Sequence, residues 1–291
     1  MRSKIKRETG KGIALAILAA SLYAINSPCS KLLLNEMPAT IMAGFLYVGA
    51  GLSMIVVALL RKARGSSSEM QLTRAELPYT VMMVVLDIAA PICLLWGLTG
   101  TTAANASLLN NFEIVATALI AWLAFRESIS RRLWLGIVCI TISCLILSFE
   151  DMSSVTFSYG SLLVLLACVC WGLENNCTRK LSSKDPMQIV ILKGIGSGGG
   201  SLIIGFCFLG ERLTSAWSVF AVLAVGAVAY GMSIFFYVYA QRILGAAKTS
   251  AYYAAAPFIG TLLSLLIFQE IPPAAFFVAL VIMLLGAWLS A

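Results

Sequence analysis

The stretch Asn105–Arg126, NASLLNNFEIVATALIAWLAFR, decides how the rest of the chain is read. It is long and apolar enough to cross a bilayer as one helix, which takes about 20 residues. Yet Glu113 stands near its middle. An ionised carboxylate costs roughly 2.5 kcal/mol or more at the bilayer centre, so such a residue faces a protein interior or a wet cavity. Asn110, Glu113 and Thr117 follow i, i+3, i+7 spacing and share one helix face, and the opposite face is Ile, Leu and Ala. The segment reads as one wall of a polar site at membrane mid-depth.

Composition agrees with that reading. The 291 residues are 60% hydrophobic and 11% charged, against about 25% charged in a soluble domain. The net charge of +7 would suit a nucleic-acid binder if it lay on one face. Instead the basic residues fall in short loops and the N-terminal tail, and no nucleic-acid partner is expected. The eight cysteines all lie in apolar segments without a CxxC pair, and there is no histidine, so neither a disulfide framework nor a metal site is expected.

Ten apolar segments of spanning length appear, near 12–34, 39–60, 78–98, 103–124, 133–149, 157–178, 187–209, 216–240, 247–268 and 273–290. Basic MRSKIKR before an apolar run also fits a signal peptide. An internal repeat argues against cleavage. At an offset of 148, Tyr23 matches Trp171, Cys29 matches Cys177, Ser30 matches Thr178 and Lys31 matches Arg179, and Pro38 and Gly51 match Pro186 and Gly199. At an offset of 143, Ala103, Ala104 and Ser107 match Ala246, Ala247 and Ser250, and Phe125 and Glu127 match Phe268 and Glu270. The expected organisation is a basic tail at 1–11 and two five-helix units at 12–149 and 150–291.

Five is odd, so consecutive units must be inverted in the membrane. With the N-terminus inside, Arg2, Lys4, Lys6, Arg7, Lys11, Arg61, Lys62, Arg64, Arg74 and Arg126 are cytoplasmic. So are Arg131, Arg132, Arg179, Lys180, Lys184, Arg242 and Lys248, making 17 of the 20 basic residues. The positive-inside rule then gives ten spans with both termini cytoplasmic. The expected fold is an all-α membrane protein, ten transmembrane helices forming two inverted five-helix repeats around a central cavity. Such halves exchange conformations around a central site.

Other spans carry polar residues too. Asp87 sits mid-span with Pro91 one turn later, and its counterpart is Tyr230, which shares a face with Ser233 and Tyr237. WGLENN places Trp171, Glu174 and Asn175 on one side, with Tyr23 and Asn26 as the counterparts of Trp171 and Glu174. Lys193 lies at a depth near Glu174, and an ion pair between them competes with a gating or substrate role. Asp87 admits two readings, a paired or protonated helix contact or a cavity wall. Tyr252 and Tyr253, near Pro257, lie near the level of Asn110; tyrosines there either pack or face a ligand. GIGSGGGS satisfies GxGxxG, but no strand precedes it, and its small residues suit close helix approach or local bending. No HExxH, SxxK or GxSxG pattern offers hydrolase chemistry, and no enzyme is expected.

YAINSPCSKLL, its echo WGLENNCTRKL, and the FRE and FQE endings resemble EamA-type members of the drug/metabolite transporter superfamily. The similarity covers essentially the whole chain and rests on repeat signatures rather than on one motif. It implies a carrier in the bacterial plasma membrane with a central cavity, exporting amino acids, metabolites or toxic organic compounds, with some relatives importing nutrients. The family's basic residue of the second helix matches Lys193, while its counterpart in the first copy is Phe45. The proline typical of the fourth and ninth helices is kept as Pro257 and replaced by Ile114 beside Glu113.

The expected function is secondary transport of a small polar metabolite, cationic, zwitterionic or amino-acid-like, in the direction of export. Candidate substrate-binding residues are Glu113, Asp87, Asn110, Asn26, Tyr23, Trp171, Glu174, Asn175, Tyr230, Tyr252 and Tyr253. Glu113, Asp87, Glu174 and Lys193 are candidates for proton coupling or gating. The expected partners are a small-molecule substrate, the lipid bilayer and protons, with no cofactor, in a monomer or homodimer. An exchanger of phosphorylated metabolites or nucleotide sugars would want more basic residues than one intramembrane lysine. A membrane-embedded enzyme or a channel is the alternative from another class.

Overall fold

A computed structural model of the chain describes residues 2–63, 71–126, 129–151, 156–181, 184–213, 215–244, 249 and 252–290. Arg64, Glu127, Ala246, Ala247, Lys248 and Ser250, singled out above, lie outside these described residues.

The first half comprises α1 (Arg2–Ala24), α2 (Asn26–Leu33), α3 (Ala39–Ala63), α4 (Leu77–Thr99), α5 (Ala103–Leu109), α6 (Phe112–Phe125) and α7 (Arg131–Ser148). The second comprises α8 (Tyr159–Leu181), α9 (Pro186–Leu192), α10 (Gly198–Ile203), α11 (Ala216–Val225), α12 (Ser233–Leu244), α13 (Ala256–Phe268) and α14 (Ala274–Ser290). Wider π turns at Lys193–Ser197, Ile204–Phe208 and Gly226–Met232 join α9 to α10, extend α10, and join α11 to α12. A two-stranded antiparallel ladder, Phe149–Asp151 with Thr156–Phe157, links the halves. Eight helical stretches are long and apolar enough to cross a membrane, with α13 and α14 as shorter apolar helices. Leu and Val side chains such as Leu59, Leu123 and Val281 face outward. The protein is thus an integral membrane protein whose described residues form helices and one short ladder.

Several long segments are not single helices, contrary to a reading by hydropathy alone. The basic tail is helical from Arg2 and runs straight into α1. The stretch 105–126 breaks at Asn110–Asn111, where Glu113 N–H and Ile114 N–H reach the carbonyls three residues back, and the Asn111 side chain donates to Leu108 O at 3.1 Å. Asparagine side chains compete with helix bonds in this way. The first span breaks at Ile25, because Pro28 has no N–H for the Ala24 carbonyl. The ninth breaks at Ala254–Ala255, ahead of Pro257. By contrast α4 stays helical through Pro91.

Close packing comes from small residues, as membrane helix contacts require. Gly51 and Gly194 bring α3 against the first π turn so closely that a Cβ on Gly194 would lie 2.3 Å from Gly51 Cα. Gly226 does the same against Leu46 O, at 2.0 Å. Gly194 and Gly198 of GIGSGGGS therefore pack on α3, whereas Gly199 faces open space. Both FR and FQ signatures end their helices with a left-handed residue, Arg126 at φ 53° and Gln269 at φ 52°, 143 positions apart. Side-chain-bearing residues adopt that conformation rarely, so it marks a shared helix stop.

The halves interlock. α4 packs on α8 and α12 on α1, α6 on α8 and α13 on α1, α7 on α14, and α3 on the segments flanking both large π turns.

Candidate functional site

Where α1, α3, α4, α6, α8 and the two central π turns meet, charged and aromatic side chains form one connected network. Lys193 is 6% exposed and stands between two carboxylates, 2.6 Å from Glu174 Oε1 and 3.2 Å from Asp87 Oδ2. The first contact is a hydrogen bond; the second is a charge contact without hydrogen-bond alignment. Asp87 Oδ1 accepts a 2.9 Å bond from the Tyr47 hydroxyl, and Glu174 Oε1 also accepts from Thr178 Oγ1. The Glu174–Lys193 pair is thus present, and Asp87 is a third partner, buried at 1% exposure. A buried charge needs this much company, since an unpaired one costs several kcal/mol.

Equivalent positions in the two halves come together with different chemistry, directly in one and through Lys193 in the other. Asn26, the counterpart of Glu174, donates to Tyr230, the counterpart of Asp87, at 3.2 Å. Ser30, the counterpart of Thr178, donates to Asn26 Oδ1 at 3.0 Å. One slot holds a neutral amide and phenol, the other two acids. Only the acidic slot calls for a cation, which accounts for Lys193 in the second half and Phe45 in the first.

Glu113 is only partly buried. Its Oε1 accepts from Asn175 Nδ2 at 2.6 Å, and Asn175 also reaches Thr117 Oγ1 at 3.4 Å. The structure pairs Glu113 with a neutral amide, and among the described residues no cation lies in direct contact with it. Tyr23 is the hub of the aromatic cluster, its ring centroid 6.5 Å from Trp171, 5.7 Å from Tyr230 and 5.9 Å from Tyr253. Tyr230 adjoins Tyr47 at 5.0 Å, and Tyr253 adjoins Tyr237 at 4.8 Å. Asn110 accepts a weak contact from the Cys168 thiol and lines a small cavity beside Tyr23.

Of the residues singled out by sequence, Tyr252 alone sits apart, its ring turned outward and 37% exposed. Its neighbour Tyr253 points inward. Tyr47, which holds Asp87, was not anticipated: it lies in the apolar run FLYVGAG, where only its hydroxyl signals a polar role. Among the described residues no cluster of His, Cys, Asp and Glu has the makings of a metal site.

The larger cavity lies elsewhere, between the ends of α4, α5, α7 and α13, with a volume of about 310 Å³. Glu270 and the Pro272–Pro273 turn line it. Lys31 closes the adjoining rim, donating to Leu98 O and, at 2.7 Å, to Thr101 O.

Comparison with known proteins places this architecture. The model of the EamA-like transporter family matches residues 10–149 and again residues 158–291. An uncharacterized transporter of Methanothermobacter thermautotrophicus is 26% identical over 275 residues, covering 89% of this chain and 80% of its own. The uncharacterized transporter YyaM of Bacillus subtilis is 21% identical over 222 residues, covering 74% and 73%. A solved crystal structure shares the fold with a TM-score of 0.69 at 17% identity, covering 98% of this chain and 96% of that one. With both halves matched and apolar helices throughout, the chain belongs to the EamA-like transporter family and is a membrane transporter.

Proposed function

We propose that this protein is a secondary active exporter of a small polar metabolite, cationic, zwitterionic or amino-acid-like, working by alternating access in a bacterial plasma membrane. The carrying observation is the surplus of acid at the centre. Asp87 and Glu174 share one lysine, and Glu113 beside them has, among the described residues, only the Asn175 amide for direct partner. A positively charged group would complete that site, and the Tyr23 cluster beside it offers ring faces that attract cations.

The proposed frame is ten spans in two inverted five-helix repeats, divided at 12–149 and 150–291, with both termini cytoplasmic. It is supported by the two successive family matches, by helix contacts that recur in exchanged pairs, and by the twin left-handed helix ends. The helix breaks at Ile25, Asn110–Asn111 and Ala254–Ala255 fit this frame, since broken helices line transporter sites. Glu113 is the proposed primary site for substrate charge or a coupling proton. Asp87 joins it only when Lys193 moves away.

The test is ligand-induced thermal stabilisation across a panel of amines, amino acids and other metabolites, followed by Glu113→Gln. A ligand that prefers the native state raises apparent stability. The substitution should abolish the response to a hit while the protein still folds. A full response in Glu113→Gln would put the site elsewhere.

A further inference from the structure

Beside Tyr23 lies a cavity of about 10 Å³, room for about one water-sized group. It is lined by Ala24, Ser27, Ser107, Asn110, Pro257 and Gly260, so it sits where the three broken segments cross. At the repeat offsets, Ser27 is the counterpart of Asn175 and Ala256 that of Glu113. In one half, therefore, an amide and a carboxylate fill the slot and bond each other. In the other half a short hydroxyl and a methyl leave it open.

The walls of that opening are polar. Ser107 is 2% exposed, and its hydroxyl has no hydrogen-bond partner among the described residues. A buried hydroxyl left in that state costs roughly 1–3 kcal/mol. The Ala24 carbonyl cannot receive a bond from Pro28, which has no N–H. Gly260 keeps the space clear: a Cβ there would lie 3.0 Å from both Ala24 O and Ser107 Oγ. The two oxygens are therefore no more than about 6 Å apart, a span that one donor-rich group bridges with ordinary hydrogen bonds.

From this the geometry points to the cavity as an amine subsite, which takes the primary ammonium head of the transported solute. It rests on the carrier reading given above and narrows its substrate class, with Glu113, outside this lining, then left as the site of the coupling proton. A carboxylate head would face the Ala24 carbonyl oxygen, which repels it. A trimethylated head carries no N–H and exceeds the space of one water. A primary ammonium has three donors for Ala24 O, Ser107 Oγ and Ser27 Oγ.

The probes are methylammonium chloride and tetramethylammonium chloride at matched ionic strength, read as thermal stabilisation of the purified full chain. Methylammonium should stabilise the protein in a saturable way and tetramethylammonium should not. Ser107→Ala should raise the half-saturating methylammonium concentration by about tenfold, as loss of a hydrogen bond to a charged group implies. Gly260→Ala should do the same by filling the space, and Ser107→Ala keeps the test available if that variant folds poorly. Equal stabilisation by both ions, no stabilisation by methylammonium, or an unchanged half-saturation in Ser107→Ala overturns the subsite. A transported solute that tolerates trimethylation of its nitrogen overturns the subsite alone. An unimpaired Glu113→Gln response overturns the carrier site instead.

Discussion

Replacing Lys193 by Met tests the charge network most directly. At an effective dielectric of about 20, unit charges 3.2 and 2.6 Å apart attract by about 5 and 6 kcal/mol. Most of that gain is offset by removing three charged groups from water, so the native cluster adds little net stability. Deleting the cation is a different matter. Asp87 and Glu174 stay buried without it, and breaking a buried pair costs about 3–5 kcal/mol. For a chain this large, about 2–4 °C of thermal midpoint follows each kcal/mol, giving a fall of about 6–20 °C for Lys193→Met. The assay is size-exclusion recovery after graded heating in detergent. Adding Asp87→Asn and Glu174→Gln should restore most of the loss, because neutral amides tolerate burial among hydroxyls, as Asn26 does beside Tyr230. A fall under about 2 °C for the single variant, or no recovery in the triple, would refute the account.

Tyr47→Phe removes the 2.9 Å bond to Asp87 and should cost about 1.5–3 kcal/mol, read by the same heating series. Gly226→Ala places a methyl 2.0 Å from Leu46 O and should lower the midpoint by about 4 °C or more, from overpacking between α3 and the helix facing it. Tyr252→Ala should leave ligand stabilisation unchanged, because that ring faces outward, whereas Tyr253→Ala should weaken it. Uptake into proteoliposomes should quicken under an imposed pH gradient if a proton is coupled; equal rates with and without it remove proton coupling.

Much of the scaffold was readable because membrane sequence obeys few rules. Every apolar run had to form a helix, since lipid offers no partner to a bare backbone group. Glu113, Glu174 and Lys193 stood out for the same reason, as charges in an apolar background. The breaks were harder to foresee. Asn110 and Asn111 interrupt a run whose hydropathy is continuous, and they do so through one side-chain bond to Leu108 O that no periodicity reveals. Tyr47 was hidden because one hydroxyl in an apolar run carries no pattern, and its meaning appears only with Asp87 opposite. The small cavity was hidden for a related reason. It arises from what Ser27 and Ala256 lack relative to their counterparts, and an opening has no residue to announce it.

A π turn holds one residue more than the α turn it replaces. Passing that surplus along by a single position swings the side chains in between by about 100° while the coil stays wound. Lys193 and Tyr230 are both mounted on such turns, whereas Asp87 rides on ordinary α-helix and Asn26 opens the short helix after the break at Ile25. Each grip therefore sits on a turn with one residue to spare, and a one-position shift of that spare residue would redirect Lys193 or Tyr230 without unwinding its helix.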